Sequence, residues 1–143
     1  MRYEYLENKN RAKIIKIWHR SIKTTYDFII DEDWISVERE FHRSLNIIDI
    51  VELYNGEDLI GFAGINNHML EMLFLDPDYI GKGLGHASLD MLLSNFNIIF
   101  IDVNEQNNKA KEFYLRNGFE IINRSELDRI NLEYPVLHLK RII

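Results

Sequence analysis

The stretch Met72 to Asn95, MLFLDPDYIGKGLGHASLDMLLSN, decides the fold of this 143-residue chain. It opens with a short apolar run that Asp76 and Pro77 end. Such a run is typical of a buried strand, and proline stops it because proline donates no hydrogen bond to a sheet. Three glycines follow at alternate positions, 81, 83 and 85, and then apolar residues at helical spacing. The stretch therefore predicts a strand, a glycine-rich loop and the start of a helix.

A glycine-rich loop before a helix can bind phosphate. Without side chains, the backbone N–H groups of residues 81–86 can turn toward one point, and the helix adds its unpaired N–H groups and the positive end of its dipole. The same pattern is also common in tight turns that bind nothing. Two nucleotide motifs fit poorly: the chain has no GxxxxGK[ST] run, and His86 stands where GxGxxG needs its third glycine.

Composition and charge exclude several classes of protein. The chain is 46% apolar and 28% charged, which is typical of one globular domain, expected here to span residues 1–143. Because it has no cysteine, disulfides, thiolate catalysis and cysteine zinc sites are excluded. A net charge of −6 argues against nucleic-acid binding, and the apolar runs are too short for a bilayer. We expect a cytoplasmic protein without a signal peptide or a metal site.

The spacing of apolar residues predicts an α/β (α+β) fold that begins with a short strand, Arg2–Leu6, and two amphipathic helices. The first helix is expected from about Asn10 to Thr24. The second is expected to begin at Asp31, since aspartate is a good N-cap. The segment between them is predicted to be a linker with a buried Phe28.

From residue 47 the spacing of apolar residues changes from that of helices to the alternation typical of strands. Hairpin turns at Asn55–Asp58 and Asn66–Asn67 connect three antiparallel strands, the last of which ends at Leu75. The apolar run Ile98–Val103 is typical of a strand covered on both faces, and therefore parallel to the strand before the loop. A helix is predicted to begin at Asn107 and to end at Asn117–Gly118, with the glycine as its C-cap. Two last strands are predicted at residues 119–122 and 135–142. The predicted mixed sheet has six or seven strands.

Two motifs together resemble the GCN5-related N-acetyltransferase (GNAT) family over essentially the whole chain. The first, LDPDYIGKGLG at residues 75–85, is similar to the family's V-x-P strand end and its pyrophosphate loop, [QR]xxGx[GA]. The second, NNKAKEFYLRNGF at residues 107–119, is similar to the family motif N-x-x-A-x-x-hydrophobic-Y-x-x-x-G-F. Their order and separation also match. Residues 103–107, 124–126 and 134–135 resemble a small bacterial branch of the family.

The resemblance implies an acetyl-CoA-dependent N-acetyltransferase that moves an acetyl group directly to a primary amine: a protein lysine, a protein N-terminus or a small amine. The loop would hold the pyrophosphate, and the strand before it would pair with the pantetheine arm, with the Leu75 N–H facing the acetyl carbonyl. Ile80 stands where the family usually has arginine or glutamine, so one phosphate contact is missing. The implied cofactor-binding residues are Leu73, Phe74, Leu75, Gly81, Lys82, Gly83, Leu84, Gly85, His86 and Asn107.

Tyr114 matches the family tyrosine that protonates the leaving thiolate, and a phenol with a pKa near 10 is protonated at neutral pH. The alternative is that Tyr114 belongs to a core-facing stripe of its helix. For the general base, Asp102 and Glu71 are the candidates, while a structural acid or a water chain is equally open. The carboxylates Asp27, Glu71, Asp102 and Asp128 form either an acidic acceptor pocket or scattered surface charge. His68 and His86 lack a second ligand at metal spacing, so metal binding is not expected.

Two other functions compete with catalysis of acetyl transfer. A non-catalytic acyl-CoA-binding or sensing domain is favoured by Ile80. A dinucleotide-dependent oxidoreductase is favoured by Asp102, which follows Gly85 by 17 residues, but the missing third glycine and the antiparallel strands oppose it. The sequence leaves open the acceptor amine and the choice between a monomer and a homodimer.

Overall fold

The computed structural model describes residues 1–142, and one seven-stranded sheet in the order β1-β2-β3-β4-β5-β7-β6 runs through them. Neighbouring strands are antiparallel except β4 and β5, which are parallel. The predicted mixed sheet is therefore confirmed, with seven strands. They are β1 (Arg2–Tyr5), β2 (Asp49–Asn55), β3 (Asp58–Asn66), β4 (Met69–Leu75), β5 (Phe100–Asn104), β6 (Phe119–Ser125) and β7 (Val136–Arg141).

Four helices cover the sheet, two on each face. They are α1 (Arg11–Thr25), α2 (Trp34–Ile47), α3 (Leu84–Asn95) and α4 (Asn108–Arg116). Buried side chains of α3 and α4 join one hydrophobic cluster with the strands, and those of α1 and α2 join a second cluster with β2, β3 and the partly buried apolar residues of β4. No helix within residues 1–142 is long and apolar enough to cross a membrane.

The second cluster does not extend to β5, β7 or β6, so α1 and α2 cover only part of their face of the sheet. The expectation that the strand around residues 98–103 is covered on both faces was therefore wrong. In β5 burial alternates: Ile101 and Val103 are buried, whereas Asp102 is half-buried. Its parallel pairing with β4 is confirmed.

The start of α2 also differs from the prediction. Residues Asp31–Asp33 form a 3-10 turn, α2 begins at Trp34, and Asp31 makes no capping hydrogen bond, so the predicted N-cap was wrong. The Asp33 carboxylate instead accepts a hydrogen bond from the Tyr134 hydroxyl at 2.6 Å, a contact between distant parts of the chain. The linker buries Ile29, whereas Phe28 is only half-buried.

A buried carboxylate joins the start of α1 to the sheet. Glu52 of β2 is fully buried and accepts hydrogen bonds from the Asn10 amide at 2.9 Å, the Glu7 N–H at 3.0 Å and the Tyr54 hydroxyl at 2.6 Å. Burial and the bond to Glu52 raise the pKa of Tyr54 to about 12. Because its oxygens are paired, Glu52 is tolerated in the interior.

The packing of α1 against α2 rests on stacked aromatic rings, and we expect Phe41→Ala to test it. The rings of Trp18 and Phe41 lie 4.1 Å apart with 3° between their planes, and Phe41 is 4% exposed. Truncation should lower the free energy of unfolding in urea by about 3–5 kcal/mol because a cavity is left. Ile35→Ala on the same helix, where Ile35 is 70% exposed, should stay within about 0.5 kcal/mol of wild type. Equal losses in the two variants would contradict this packing.

Candidate active site

Strands β4 and β5 pair only where both begin. Met69 lies opposite Phe100 and Leu70 opposite Ile101, and no further pair follows although both strands continue. The strands therefore diverge, as predicted. Unpaired strand edges present N–H and C=O groups to an extended ligand, so the gap suits a ligand that pairs like an added strand.

A β-bulge at Glu71 accompanies this divergence. In the ladder of β3 and β4, Gly64 lies opposite Met72 but the next residue, Ile65, lies opposite Leu70, which leaves Glu71 as an extra residue. A bulge bends its strand and increases the local twist. It therefore turns β4 immediately after its last pair with β5, and it sends the side chains of Glu71 and Met72 into the same cavity.

The glycine loop lies between β4 and α3. Gly81 and Gly83 have φ values of +82° and +75°, and a Cβ atom built on either would meet no atom within 4 Å. Glycine is thus required for the left-handed backbone, which a side chain would strain, and not for lack of space. Gly83 is also the N-cap of α3 and offers no side-chain acceptor, so the first N–H groups of the helix are open to a ligand. Gly85 lies within α3, where a Cβ would contact Phe113 at 3.7 Å.

The loop is held to α1 by an arginine that the sequence did not indicate as functional. Arg20 donates hydrogen bonds to the two Asp76 oxygens at 2.9 and 2.8 Å and to Asp78 at 3.1 Å. These bonds fix the end of β4 before the glycines begin. Ile80, in contrast, is 57% exposed, and the Lys82 ammonium lies 5.6 Å from the centre of the Tyr79 ring.

Asn107 and His86 have protein partners of their own. Asn107 is buried and caps α4, since its Oδ1 accepts a hydrogen bond from the Ala110 N–H at 3.2 Å. The Nδ1 atom of His86 lies 2.6 Å from Asn117 Oδ1, and its Nε2 lies 3.1 Å from Asp90. Contacts of both residues with acetyl-CoA stay predictions. Among residues 1–142, no three His, Cys, Asp or Glu residues are grouped so as to hold a metal ion.

Two tyrosines from opposite faces of the sheet approach the gap, and one raises the pKa of the other. Tyr114 of α4 is buried in the α3–α4 cluster, and its ring packs edge-on against Phe113 and Phe119. Burial raises the pKa of Tyr114 above its usual value, and Tyr26 raises it further. Tyr26 follows α1, on the other face. Burial likewise raises its pKa, which the amides of Asn107 and Asn104 lower in part.

Tyr26 was missed as a site residue because it continues the apolar stripe of α1 in the sequence. No sequence signal separates it from the core residues of that stripe.

Beside the gap, on the α1–α2 face, lies a cavity of about 400 Å³ that we call the side cavity. The carboxylates Glu71, Asp102 and Asp128 line it together, whereas Asp27 is exposed and lies outside. All three of these predicted acids have partners, Asp128 through the N–H groups of residues 130 and 132. Arg129 pairs with Glu71 at 3.2 Å, and Asp102 Oδ1 lies 2.7 Å from His138 Nδ1.

A short polar chain crosses three strands at the edge of this cavity. It runs from Asp102 on β5 to His138 on β7, and from His138 Nε2 to the Ser125 hydroxyl on β6 at 2.6 Å. The sequence did not indicate His138 or Ser125, because cross-strand register brings them together. The half-buried Asp102 carboxylate is the member of this chain that belongs to β5 and follows its last pair with β4.

Comparisons with known proteins agree with this geometry. The family model described as an acetyltransferase (GNAT) domain matches residues 23–132. The peptidyl-lysine N-acetyltransferase YjaB of Escherichia coli is 33% identical over 128 residues, which cover 89% of this chain and 87% of that protein. The solution structure of apo YjaB from E. coli superposes with a TM-score of 0.87 at 28% identity, covering 99% and 97% of the two chains.

A more distant structure shows the same fold with a bound ligand. A PaiA N-acetyltransferase from Thermoplasma acidophilum, in complex with coenzyme A, has a TM-score of 0.62 at 24% identity and covers 98% of this chain and 99% of its own. GNAT acetyltransferases use acetyl-CoA as the acetyl donor, which suits a glycine loop at a helix N-terminus beside an open strand edge. The chain belongs to the GNAT family and is an N-acetyltransferase that uses acetyl-CoA.

Proposed function

We propose that the protein transfers the acetyl group of acetyl-CoA directly to a primary amine, with Tyr114 as general acid. A bond forms between the amine nitrogen and the acetyl carbon, the carbon–sulfur bond breaks, the amine gives up a proton and the thiolate receives one. The observation that carries the proposal is the divergence of β4 from β5 after two pairs, directly before the glycine loop. The acceptor is a protein lysine, a protein N-terminus or a small amine.

The donor is held by the loop and the strand before it. Acetyl-CoA supplies an activated thioester when it is bound. The pyrophosphate interacts with the N–H groups of residues 81–86, and Lys82 adds a positive charge there. Residues Leu73 to Leu75 pair with the pantetheine arm through their backbone. Since the amides and the helix dipole do not depend on side-chain identity, Ile80 weakens this site without removing it.

The proton of the leaving group comes from Tyr114. Support comes from its place in the matched motif and from its burial, which raises the pKa of the phenol and keeps it protonated at every physiological pH. The raised pKa keeps the proton on the hydroxyl for the thiolate, and it also makes this phenol a weaker acid than an exposed one. Tyr26 lies close enough to raise that pKa further.

The proton of the amine goes to Asp102. Of the two candidate bases, Glu71 is less suited to accept a proton, because its side chain is 8% exposed and paired with Arg129. Asp102 is more accessible, with 25% of its side chain exposed, and its Oδ1 lies 2.7 Å from His138 Nδ1. We therefore assign Asp102, the more accessible carboxylate at the gap, as the acceptor of the amine proton.

The loop assignment is tested by ligand-induced stabilisation. At a hundredfold excess over its dissociation constant, acetyl-CoA should raise the free energy of unfolding by about 2.7 kcal/mol. Gly83→Val should abolish this gain, since valine strains a backbone at φ +75° and places a side chain over the amides.

Gly56→Val is the matched control for that variant. Gly56 has φ +62° and equally open surroundings, but it lies in the turn between β2 and β3. This variant should lose comparable stability and keep the gain from acetyl-CoA. Full stabilisation of a folded Gly83→Val protein would reject the loop as the pyrophosphate site, and stabilisation by NAD alone would favour an oxidoreductase.

The general acid is tested by Tyr114→Phe, which removes one hydroxyl and keeps the ring. We expect kcat to fall by about 10²- to 10⁴-fold with little change in the KM for acetyl-CoA, measured by thiol release. Tyr5→Phe, where Tyr5 is 58% exposed on β1, is the control and should be unaffected. Because the pKa of Tyr114 is raised, wild-type kcat should lose no activity to its ionisation below about pH 10. Unchanged turnover in Tyr114→Phe at every pH would reject the role.

The general base is tested by Asp102→Asn. A base loses activity when it is protonated, so wild-type kcat/KM should fall toward acidic pH, and Asp102→Asn should lower kcat/KM and remove or shift that limb. Glu71→Gln removes a charge from the other candidate. If Glu71→Gln moves the acidic limb and Asp102→Asn leaves it in place, the assignment is reversed.

A further inference from the structure

The side cavity has the size of a small-molecule site. Its volume of about 400 Å³ falls in the range of pockets that enclose whole ligands. It reaches the gap between β4 and β5, because Phe74 of β4 and Val103 of β5 both line it. A molecule in this cavity therefore has one end at the place of acetyl transfer and its body in the cavity.

One wall of the side cavity is aromatic. Tyr26 packs against Phe74 with ring centres 6.3 Å apart, and Phe28 packs against Tyr134 at 5.9 Å. Tyr26, Phe74 and Tyr134 line the cavity, together with Trp34. Flat apolar faces of this kind favour a ligand with an apolar body of ring size. The unbranched side chain of lysine would leave most of this wall in contact with water.

The charged residues that line the side cavity favour a cationic ligand. The lining contains four carboxylates, Glu40, Glu71, Asp102 and Asp128, and one guanidinium, Arg129. Because Glu40 also pairs with Arg43 at 3.1 Å outside the lining, two negative charges remain when His138 is neutral. Glu71 is already neutralised by Arg129 at 3.2 Å. Asp102 lies at the strand that borders the gap, so an ammonium group is attracted toward the place where its nitrogen must react.

A loop covers the side cavity like a roof. Residues 126–135, here named the roof loop, follow β6, yet Arg129 reaches Glu71 on β4 and so spans β7 and β5. The loop is fastened a second time, where the Tyr134 hydroxyl donates to Asp33 and accepts from the Ile30 N–H at 3.0 Å. It is stiffened internally, since Asp128 Oδ1 accepts from the N–H groups of residues 130 and 132 at 3.0 and 2.9 Å. An extended peptide laid across this face would have to displace these bonds.

We propose that the acceptor is a free small amine with an apolar, ring-sized body, and not a lysine within a peptide or protein. This inference rests on the proposed acetyl transfer and specifies its substrate class. The aromatic wall binds the apolar body of the amine, the carboxylates bind its ammonium group, and the roof loop excludes a polypeptide. The ammonium group first gives a proton to Asp102 and becomes a neutral amine. Its nitrogen then bonds to the acetyl carbon, the carbon–sulfur bond breaks, the thiolate takes a proton from Tyr114, and the second N–H proton of the amine replaces the proton that Tyr114 gave up.

The experiment compares amines with the full chain. 2-Phenylethylamine, methylamine and an unstructured peptide with one lysine are each assayed with acetyl-CoA by thiol release and mass spectrometry. We expect kcat/KM for 2-phenylethylamine to exceed the values for both other amines by at least about tenfold, because only its ring fills the aromatic side of the cavity. Calorimetric titration in the presence of coenzyme A gives a second readout, in which 2-phenylethylamine binds and 2-phenylethanol, which lacks the charge, binds at least about tenfold more weakly.

Two variants test the roof loop. Arg129→Gln removes the ion pair with Glu71, and Tyr134→Phe removes the two hydrogen bonds of the Tyr134 hydroxyl. Each variant should reduce the ratio of kcat/KM for 2-phenylethylamine to that for the peptide by at least about twofold, the lower end expected for a lost hydrogen bond. Tyr134→Phe keeps the ring and leaves no buried charge, so it serves if Arg129→Gln fails to fold. Arg124→Gln is the control, because Arg124 pairs with Glu105 outside the cavity and should leave the preference unchanged.

The outcomes separate this inference from acetyl transfer itself. Wild-type protein that acetylates the peptide as efficiently as 2-phenylethylamine overturns the acceptor class and leaves acetyl transfer standing. Binding of 2-phenylethylamine without acetylation of any amine supports the ligand class and contradicts the proposed function. Absence of both binding and acetylation of 2-phenylethylamine overturns the inference.

Discussion

The functional site depends on the loss of pairing between two parallel strands. β4 and β5 share only two residue pairs, and the bulge at Glu71 bends β4 away directly after the second. One extra residue in an antiparallel ladder thus exposes two strand edges in the middle of the sheet. Unpaired strand edges can pair with another chain. Here each strand is held in place by its other neighbour in the sheet, β3 for β4 and β7 for β5.

The helices determine what reaches the gap from each face. On one face, the α3–α4 cluster brings the glycine loop to the end of β4 and buries Tyr114. On the other, α1 and α2 cover β2, β3 and β4 but stop short of β5, which leaves the side cavity. In the proposed function, donor and acceptor therefore reach the gap from opposite faces of the sheet, and Tyr26, which raises the pKa of Tyr114, lies between them.

The carboxylates at the site differ through their partners and not through their chemistry. Glu71 lies on the bulge and pairs with Arg129, and this ion pair holds the roof loop over the cavity. Asp102 lies one strand away, and its Oδ1 contacts His138 Nδ1 at 2.7 Å. Asp76, at the end of β4, binds Arg20 and anchors the loop. Of the three acids near the gap, two therefore fasten loops, and Asp102 is the one left as the proposed proton acceptor.

The sequence by itself determined the order and type of the elements, the glycine loop and the motif that contains Asn107 and Tyr114. These are local features, since glycine at positive φ, helical spacing and hairpin turns depend on residues near one another in the chain. It erred at Asp31, because the capping expected there was overridden by the distant bond between Asp33 and Tyr134. It also erred on β5, because nothing local shows which strands a helix will cover.

Only the tertiary structure decided the contents of the site around that motif. The bulge at Glu71, the chain from Asp102 through His138 to Ser125 and the pairing of Arg129 with Glu71 all join residues more than a dozen positions apart or depend on cross-strand register. A shift of one residue in that register would turn each side chain to the opposite face of the sheet. The side cavity and its roof loop therefore follow from how the strands pair, which hydrogen bonds between distant segments determine.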